Sequence, residues 1–290
     1  MIYLFLSILC NVLLLVIIKG FEKFTVPNLQ GIVVNYFVAG IVALFFIPNG
    51  INSRTIINSD WFETAIVMGA LFISIFFLIS LTAQKISISV ASVANKMSLV
   101  IPVIVAIIFY GDKLQFYKIT GIILALLSVY LTTKKEKDKS EFSDKKELLL
   151  PILVFLGSGI IDALVNFANK KLITDVGHDA AFSCVGFFAA GSIGFFIVTY
   201  QILFHKKVFL AKSIVAGLIL GIPNFFSIYF ILKALSTNIL ESSQLYPVAN
   251  ICIVVLSALA GLLIFKEKLS KLNMIGIALS VIATLLISFS

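Results

Sequence analysis

Charge is scarce in this chain. Of its 290 residues only 12% are charged, while 60% are hydrophobic, and the mean hydropathy is +1.12. A soluble domain carries about twice that share of charge, so a soluble globular fold is excluded. Histidine is nearly missing. His178 and His205 fall in or near connections, where solvated side chains are expected. The three cysteines, Cys10, Cys184 and Cys252, all lie inside apolar runs without a CxxC or Cys/His spacing. Free buried thiols are expected, and neither a metal site nor a cofactor is implied. Paired Asp motifs, histidine clusters and Ser/His arrangements are lacking too, so no enzyme constellation is expected. The formal net charge of +8 is spread over short connections, which does not make a nucleic-acid surface.

What the chain does have is apolar length. Crossing a hydrocarbon core of roughly 30 Å takes about 18 or more apolar residues in a helix. Ten such runs are present, at about 2–18, 29–47, 62–83, 88–109, 115–133, 148–168, 180–203, 212–234, 239–264 and 271–289. None alternates as a barrel strand would, and backbone groups in lipid must be satisfied internally, so the spans are helices. The first run lacks a basic leader and a small-residue cleavage site, so it is expected to be a span and not a signal peptide. The expectation is an all-α integral membrane protein of the inner or plasma membrane, multi-pass and in contact with the lipid bilayer.

The chain also resembles itself. At an offset of 151, Ser7 falls on Ser158, Asn11 on Asp162, Leu13 on Leu164, Lys19 on Lys170, Phe37 on Phe188, Gly40 on Gly191 and Phe45 on Phe196. At 155, Asp112 meets Glu267, Lys113-Leu114 meets Lys268-Leu269, and Gly121-Ile122 meets Gly276-Ile277. The copies span residues 1–133 and 148–290. Each holds five spans, and five is odd, so the second copy enters from the opposite face. Ten transmembrane helices as two inverted five-helix repeats are expected. Residues 134–147, with six lysines and five acids, read as a solvated charged linker.

Orientation has two readings. Connections after odd-numbered spans hold 15 Lys or Arg and those after even-numbered spans hold 6. The positive-inside tendency then places both termini outside.

The fourth and fifth spans run from Ser92-Val-Ala-Asn-Lys96 through Pro102 and Asp112-Lys-Leu114 to Gly121-Ile122. The ninth and tenth run from Ser243-Gln-Leu-Tyr-Pro-Val-Ala-Asn250 through Glu267-Lys-Leu269 to Gly276-Ile277. This resembles the drug/metabolite transporter superfamily, in its EamA-type ten-helix members, over nearly the whole chain. The resemblance implies cytoplasmic termini, the second reading of orientation. It departs at Asp112, where the family usually has Glu, and at Asn11, where small four-helix relatives keep a proton-coupling Glu.

Polar groups inside spans avoid hydrocarbon. Ser158, Asp162, Asn166 and Asn169 form one stripe on the sixth span, and Ser7 and Asn11 occupy equivalent places on the first. Lys96 and Asn95 on the fourth span match Gln244, Tyr246 and Asn250 on the ninth, and Asn224 follows Pro223 in the eighth. A solute cavity at the repeat interface predicts this pairing; interhelical hydrogen bonding is the plainer account. Lys96 and Asp162 are the costly charges, about 2.5–3.5 kcal/mol each at mid-bilayer, and a buried ion pair between them is the structural alternative. Candidate solute-binding residues are therefore Lys96, Asn95, Asn11, Asp162, Asn166, Asn224, Gln244, Tyr246 and Asn250. Glu241 suits a helix start, and Asp112 and Glu267 suit capping or ion pairing in turns. Gly40, Gly69, Gly191, Gly194, Gly221 and Gly261 are expected at helix contacts, and Pro102, Pro223 and Pro247 are candidate helix breaks. Tyr246 with Phe225-Phe226 offers an aromatic wall.

The resulting expectation is a secondary transporter, exporter or exchanger, moving a small metabolite or drug-like solute by alternating access, with an amino acid or other carboxylate suited to Lys96. A monomer is compatible with it. The rival classes are a non-transporting membrane receptor or assembly subunit and a lipid-modifying membrane enzyme.

Overall fold

The computed structural model describes residues 1–110, 115–133, 149–173, 178–236 and 242–288. Every regular element among them is helical: α1 (Ile2–Lys23), α2 (Asn28–Leu44), the short α3 (Ser53–Ile57), α4 (Phe62–Lys85), α5 (Ile88–Met97), α6 (Val100–Tyr110), α7 (Phe116–Thr133), α8 (Leu149–Lys171), α9 (His178–His205), α10 (Lys212–Ser236), α11 (Ser242–Ile264) and α12 (Lys271–Ser288). Nine helical stretches are long and apolar enough to cross a bilayer, one of them Ile88–Val105, made by α5 with α6; α2 is a shorter apolar helix of 17 residues. All ten apolar runs of the sequence are thus helical. The linker 134–147 lies outside the described residues, as do Asp112 and Glu241.

Of the three candidate breaks, one is realised. Pro102 has no N–H to give the Ser98 carbonyl, and the helix stops at Met97 and restarts at Val100. The Ser98 carbonyl instead accepts the Ile101 N–H at 2.9 Å, a tighter bond that turns the chain. Helices α10 and α11 run through Pro223 and Pro247 without interruption. A proline removes one ladder bond, and the rest of each helix survives that loss.

The chain forms two compact units, each drawing segments from both sides of the linker. The first comprises residues 1–19, 78–160 and 227–290. Its core gathers Val93, Met97, Val100, Ala125, Val129, Phe155, Val254, Ala283 and Ile287. Here α7 and α12 meet at two glycines. A Cβ on Gly121 would touch Ile287 Cγ1 at 2.6 Å and Ala283 O at 3.1 Å; one on Gly276 would touch Thr132 N at 2.8 Å and Ser128 O at 2.9 Å. Early α7 meets late α12 and late α7 meets early α12, so the two helices are antiparallel. Asn273 closes the contact, donating to Thr132 O at 2.6 Å while capping α12 with Ser270.

The second unit comprises residues 20–77 and 161–226. Its helices α2 and α9 also cross antiparallel. Val33 packs on Gly194, Phe37 on Gly191 and Phe188 on Gly40, with ring atoms 3.2–3.3 Å from the position of a glycine Cβ at the last two contacts. Gly69 presses α4 onto α9, 2.8 Å from both Ala190 N and Gly186 O measured from an added Cβ. Gly217 and Gly221 seat α10 on Val34 and Val38 of α2. Close approach through small residues is how membrane helices gain packing contact without a hydrophobic driving force.

Candidate functional site

The first unit holds Asn11, Asn95, Lys96, Tyr246 and Asn250. Lys96 lies eight residues beyond the start of α5, about 12 Å along the axis, and one residue before the helix ends. Its Nζ donates to Asn11 Oδ1 at 3.4 Å, and Asn11 Nδ2 donates to Ser7 O at 3.0 Å. Ser7 Oγ in turn donates to Ser227 O at 2.8 Å. A polar line thus runs from α10 through α1 to the broken end of α5. At that end the Asn95 carbonyl, freed by the break, accepts from Ser98 Oγ. Both Lys96 and Asn95 are half-buried.

Helix α11 borders the same region. Its Leu245, Ala249 and Ile253 pack on Leu4 and Ile8 of α1, and its Val254 packs with Val93 and Met97 of α5. Asn250 is half-buried between these contacts in sequence, and Tyr246, one turn earlier, is 46% exposed. The side chain of Gln244 lies outside the described residues, as does that of Asn169.

The second unit holds Asp162, Asn166 and Asn224. Asp162 and Asn166 are one turn apart on α8 and both are exposed. Asn224 is buried and donates to Asn35 Oδ1 at 3.1 Å. Asn35 is fully enclosed and donates to Ile32 O at 3.4 Å. This amide pair joins α10 to α2. Asn224→Leu removes the donor and leaves a buried amide oxygen unsatisfied, which costs about 1–3 kcal/mol. The double change Asn35→Leu with Asn224→Leu is expected to recover most of that loss. A thermal-unfolding double-mutant cycle checks it, and simple additivity would show that the pair is not coupled.

Sequence reasoning passed over several polar residues that the structure puts to work. Asn35 and Gln30 are single polar positions in an apolar run and carry no stripe. Gln30 accepts from Leu210 N at 3.0 Å and Ser213 Oγ at 3.0 Å and donates to Val208 O at 2.9 Å, pinning the α9–α10 connection to α2. His178 is not a solvated loop side chain: it opens α9, and its Nδ1 accepts from the indole N–H of buried Trp61 at 3.1 Å. Phe225 and Phe226 pack with Phe46 at ring-centroid distances of 4.9 and 6.1 Å, an internal aromatic cluster of this unit.

The chain is therefore a polytopic helical membrane protein whose buried polar groups sit on its spans. It belongs to the EamA-like transporter family, whose model matches residues 1–134. An uncharacterised protein of Haemophilus influenzae is 30% identical over 283 residues, covering 96% of this chain and 94% of that protein. A protein crystal structure with 16% identity covers 97% of this chain and 95% of its own, with a TM-score of 0.59; at that identity the likeness is one of fold.

Proposed function

We propose that the protein is a secondary transporter that moves a small anionic or zwitterionic solute, such as an amino acid or another carboxylate, by alternating access. The observation that carries this reading is Lys96. It brings an ammonium deep into an apolar span, at the point where the helix is discontinuous. Transporter sites use broken spans in this way, because unwound backbone and helix ends offer polar groups to a solute. Asn11, Asn95 and Asn250 supply neutral hydrogen-bonding groups on the helices around it. Asp162 and Asn166, exposed on α8, are the second polar surface in this proposal.

The packing supports an inverted repeat of residues 1–133 and 148–290. At the 151 offset, Phe37 and Gly40 correspond to Phe188 and Gly191, and each phenylalanine packs on the other copy's glycine. At the 155 offset, Gly121 with Ser128 and Thr132 corresponds to Gly276 with Ala283 and Ile287, and again each glycine meets the other copy's pair. Such reciprocal contacts are what a two-fold relation would give, and the antiparallel run of the equivalent helices suits an axis in the membrane plane.

The test is a thermal-shift screen of the detergent-solubilised protein against amino acids, other carboxylates, nucleosides and organic cations. A ligand of the native state raises its apparent stability. Hits are then followed as radiolabelled counterflow in proteoliposomes. Carboxylate hits that exchange across the vesicle membrane are expected. A ligand that binds without exchanging under any imposed gradient refutes transport and favours a receptor.

Orientation follows from charge. One end of the second unit carries Lys23, Lys206, Lys207 and Lys212 against Glu22, tied together where Lys212 donates to Phe24 O at 3.0 Å. The end where Trp61 meets His178 carries fewer basic residues, Arg54, Lys170 and Lys171, beside Asp60, Glu63 and Asp179. The positive-inside tendency makes the lysine end cytoplasmic, with the termini outside. A Val208→Cys probe in a background without the native cysteines is expected to resist a membrane-impermeant maleimide in intact cells and to react in inverted vesicles. Labelling in intact cells reverses the assignment.

A further inference from the structure

Glu267 lies in the connection between α11 and α12. Its N–H donates to Gly261 O at 2.9 Å, folding the connection back on the end of α11. The side chain then reaches the start of α5, where Oε1 accepts the Ile88 N–H at 3.0 Å. Ser87 Oγ accepts the Val90 N–H at 3.0 Å, so two of the donors left open at a helix start are satisfied. The other carboxylate oxygen is treated differently. Oε2 is enclosed and has no hydrogen-bond partner among the described residues, and the same holds for Ser89 Oγ. Both stand over Gly261: a Cβ added there would collide with Oε2 and lie 3.5 Å from Ser89 Oγ.

An ionised carboxylate with one buried, unpaired oxygen is poorly solvated. A neutral acid fits the same space. Oε1 keeps the Ile88 N–H, and Oε2 becomes a donor beside Ser89 Oγ, a hydroxyl with unused acceptor capacity. The enclosure of Oε2 against Gly261 suits a proton. We propose that Glu267 is a proton-binding site: its Oε2 takes up a proton from bulk water at one end of the first unit, and releasing it loosens the docking of α5. This stands apart from the transport reading, although α5 is the helix that carries Asn95 and Lys96.

Within the first unit the described charged side chains other than Glu267 are all basic; the acids of α1 and α4, Glu22 and Glu63, belong to the second unit. Lys19 comes from α1, its Nζ held by Gln84 O at 2.8 Å; Lys85 ends α4; Lys266 and Lys268 flank Glu267; and Lys271 opens α12. No second carboxylate side chain lies in the first unit among the described residues. Burial raises the Glu267 carboxyl above its ordinary value of 4.5, against smaller lowering influences from the Ile88 N–H, from Lys19 and from the Ser89 N–H. The folded state therefore holds a proton that the unfolded chain has already lost. This contribution is fully present below 4.5 and disappears as pH rises through the raised value.

The test uses the full-length protein in liposomes, titrated from roughly pH 4 to pH 9 and followed by infrared absorption of protonated carboxyl groups. Wild type is expected to lose a carboxylic-acid band at a pH above the ordinary glutamate range, and Glu267→Gln is expected to lack that band throughout. The unfolding midpoint of wild type, taken relative to Glu267→Gln, is expected to fall across the same window. A titrating band that persists in Glu267→Gln, or midpoints that track each other, overturns the proposal. If that variant does not fold, Ser89→Ala decides alone. Removing the acceptor for the neutral acid should move the titration to lower pH, and an unmoved titration overturns the site.

Discussion

Gly276→Val is expected to lower the unfolding midpoint of the solubilised protein sharply, with Gly121→Val close behind. The reason is what the new side chain would meet. At Gly276 its Cβ would lie 2.8 Å from Thr132 N and 2.9 Å from Ser128 O, both backbone atoms, and 2.7 Å from Thr132 Cγ2. A side chain can rotate away from such a clash; a helix backbone cannot. Helices α7 and α12 must separate, and the Asn273 bonds to Leu131 O and Thr132 O then lengthen or break. Overpacking of this kind costs about 1–3 kcal/mol, and backbone contacts on both sides place it at the upper end or beyond. Gly20→Ala is the control. It sits inside α1 with nothing within 4 Å of an added Cβ, and alanine is favoured over glycine in a helix by about 1 kcal/mol. Equal midpoints for Gly276→Val and Gly20→Ala would show that the α7–α12 contact is not as close as described.

Lys96→Ala is expected to weaken solute binding by at least tenfold while leaving folded protein recoverable. A hydrogen bond to a charged group contributes about 1.5–3 kcal/mol, which is roughly 10- to 150-fold in affinity. Because Lys96 is half-buried beside a neutral amide, its removal leaves Asn11 able to keep its bond to Ser7 O. Asn11→Ala should weaken binding less, since it removes a positioning partner and keeps the charge. Isothermal titration with the best thermal-shift ligand, beside counterflow, makes the comparison. The competing account has Lys96 serving only to neutralise Asp162. In that case Lys96→Ala destabilises by several kcal/mol, Lys96→Ala with Asp162→Ala recovers much of the loss, and transport in the double variant is unchanged. That combination would remove Lys96 from the solute site.

Hydropathy alone located the spans. An apolar run of sufficient length has one stable form in lipid, so nine of the ten runs emerged as single helices within a few residues of their expected limits and the fourth as two, α5 and α6. The glycines were legible for a related reason: Gly40, Gly69, Gly191, Gly194 and Gly221 all meet a neighbouring helix, because a residue without a side chain has little other use inside a span. Pro102 was legible as a break only as one of three prolines. There the Ser98 carbonyl takes the Ile101 N–H, whereas the helices around Pro223 and Pro247 run on.

The sequence by itself determined that this is a helical membrane protein, where its helices run, and that Lys96 and Asp162 stand out chemically. Tertiary structure alone decided who faces whom. Asn35 has no polar neighbour in sequence and finds one 189 residues away in Asn224. Trp61 reaches His178 across 117 residues, and Glu267 caps a helix that begins 179 residues before it. Span formation depends on local transfer energy from water to lipid, which any stretch of sequence carries within itself. Pairing of polar groups depends on helices meeting in space, and no local pattern records which helices meet.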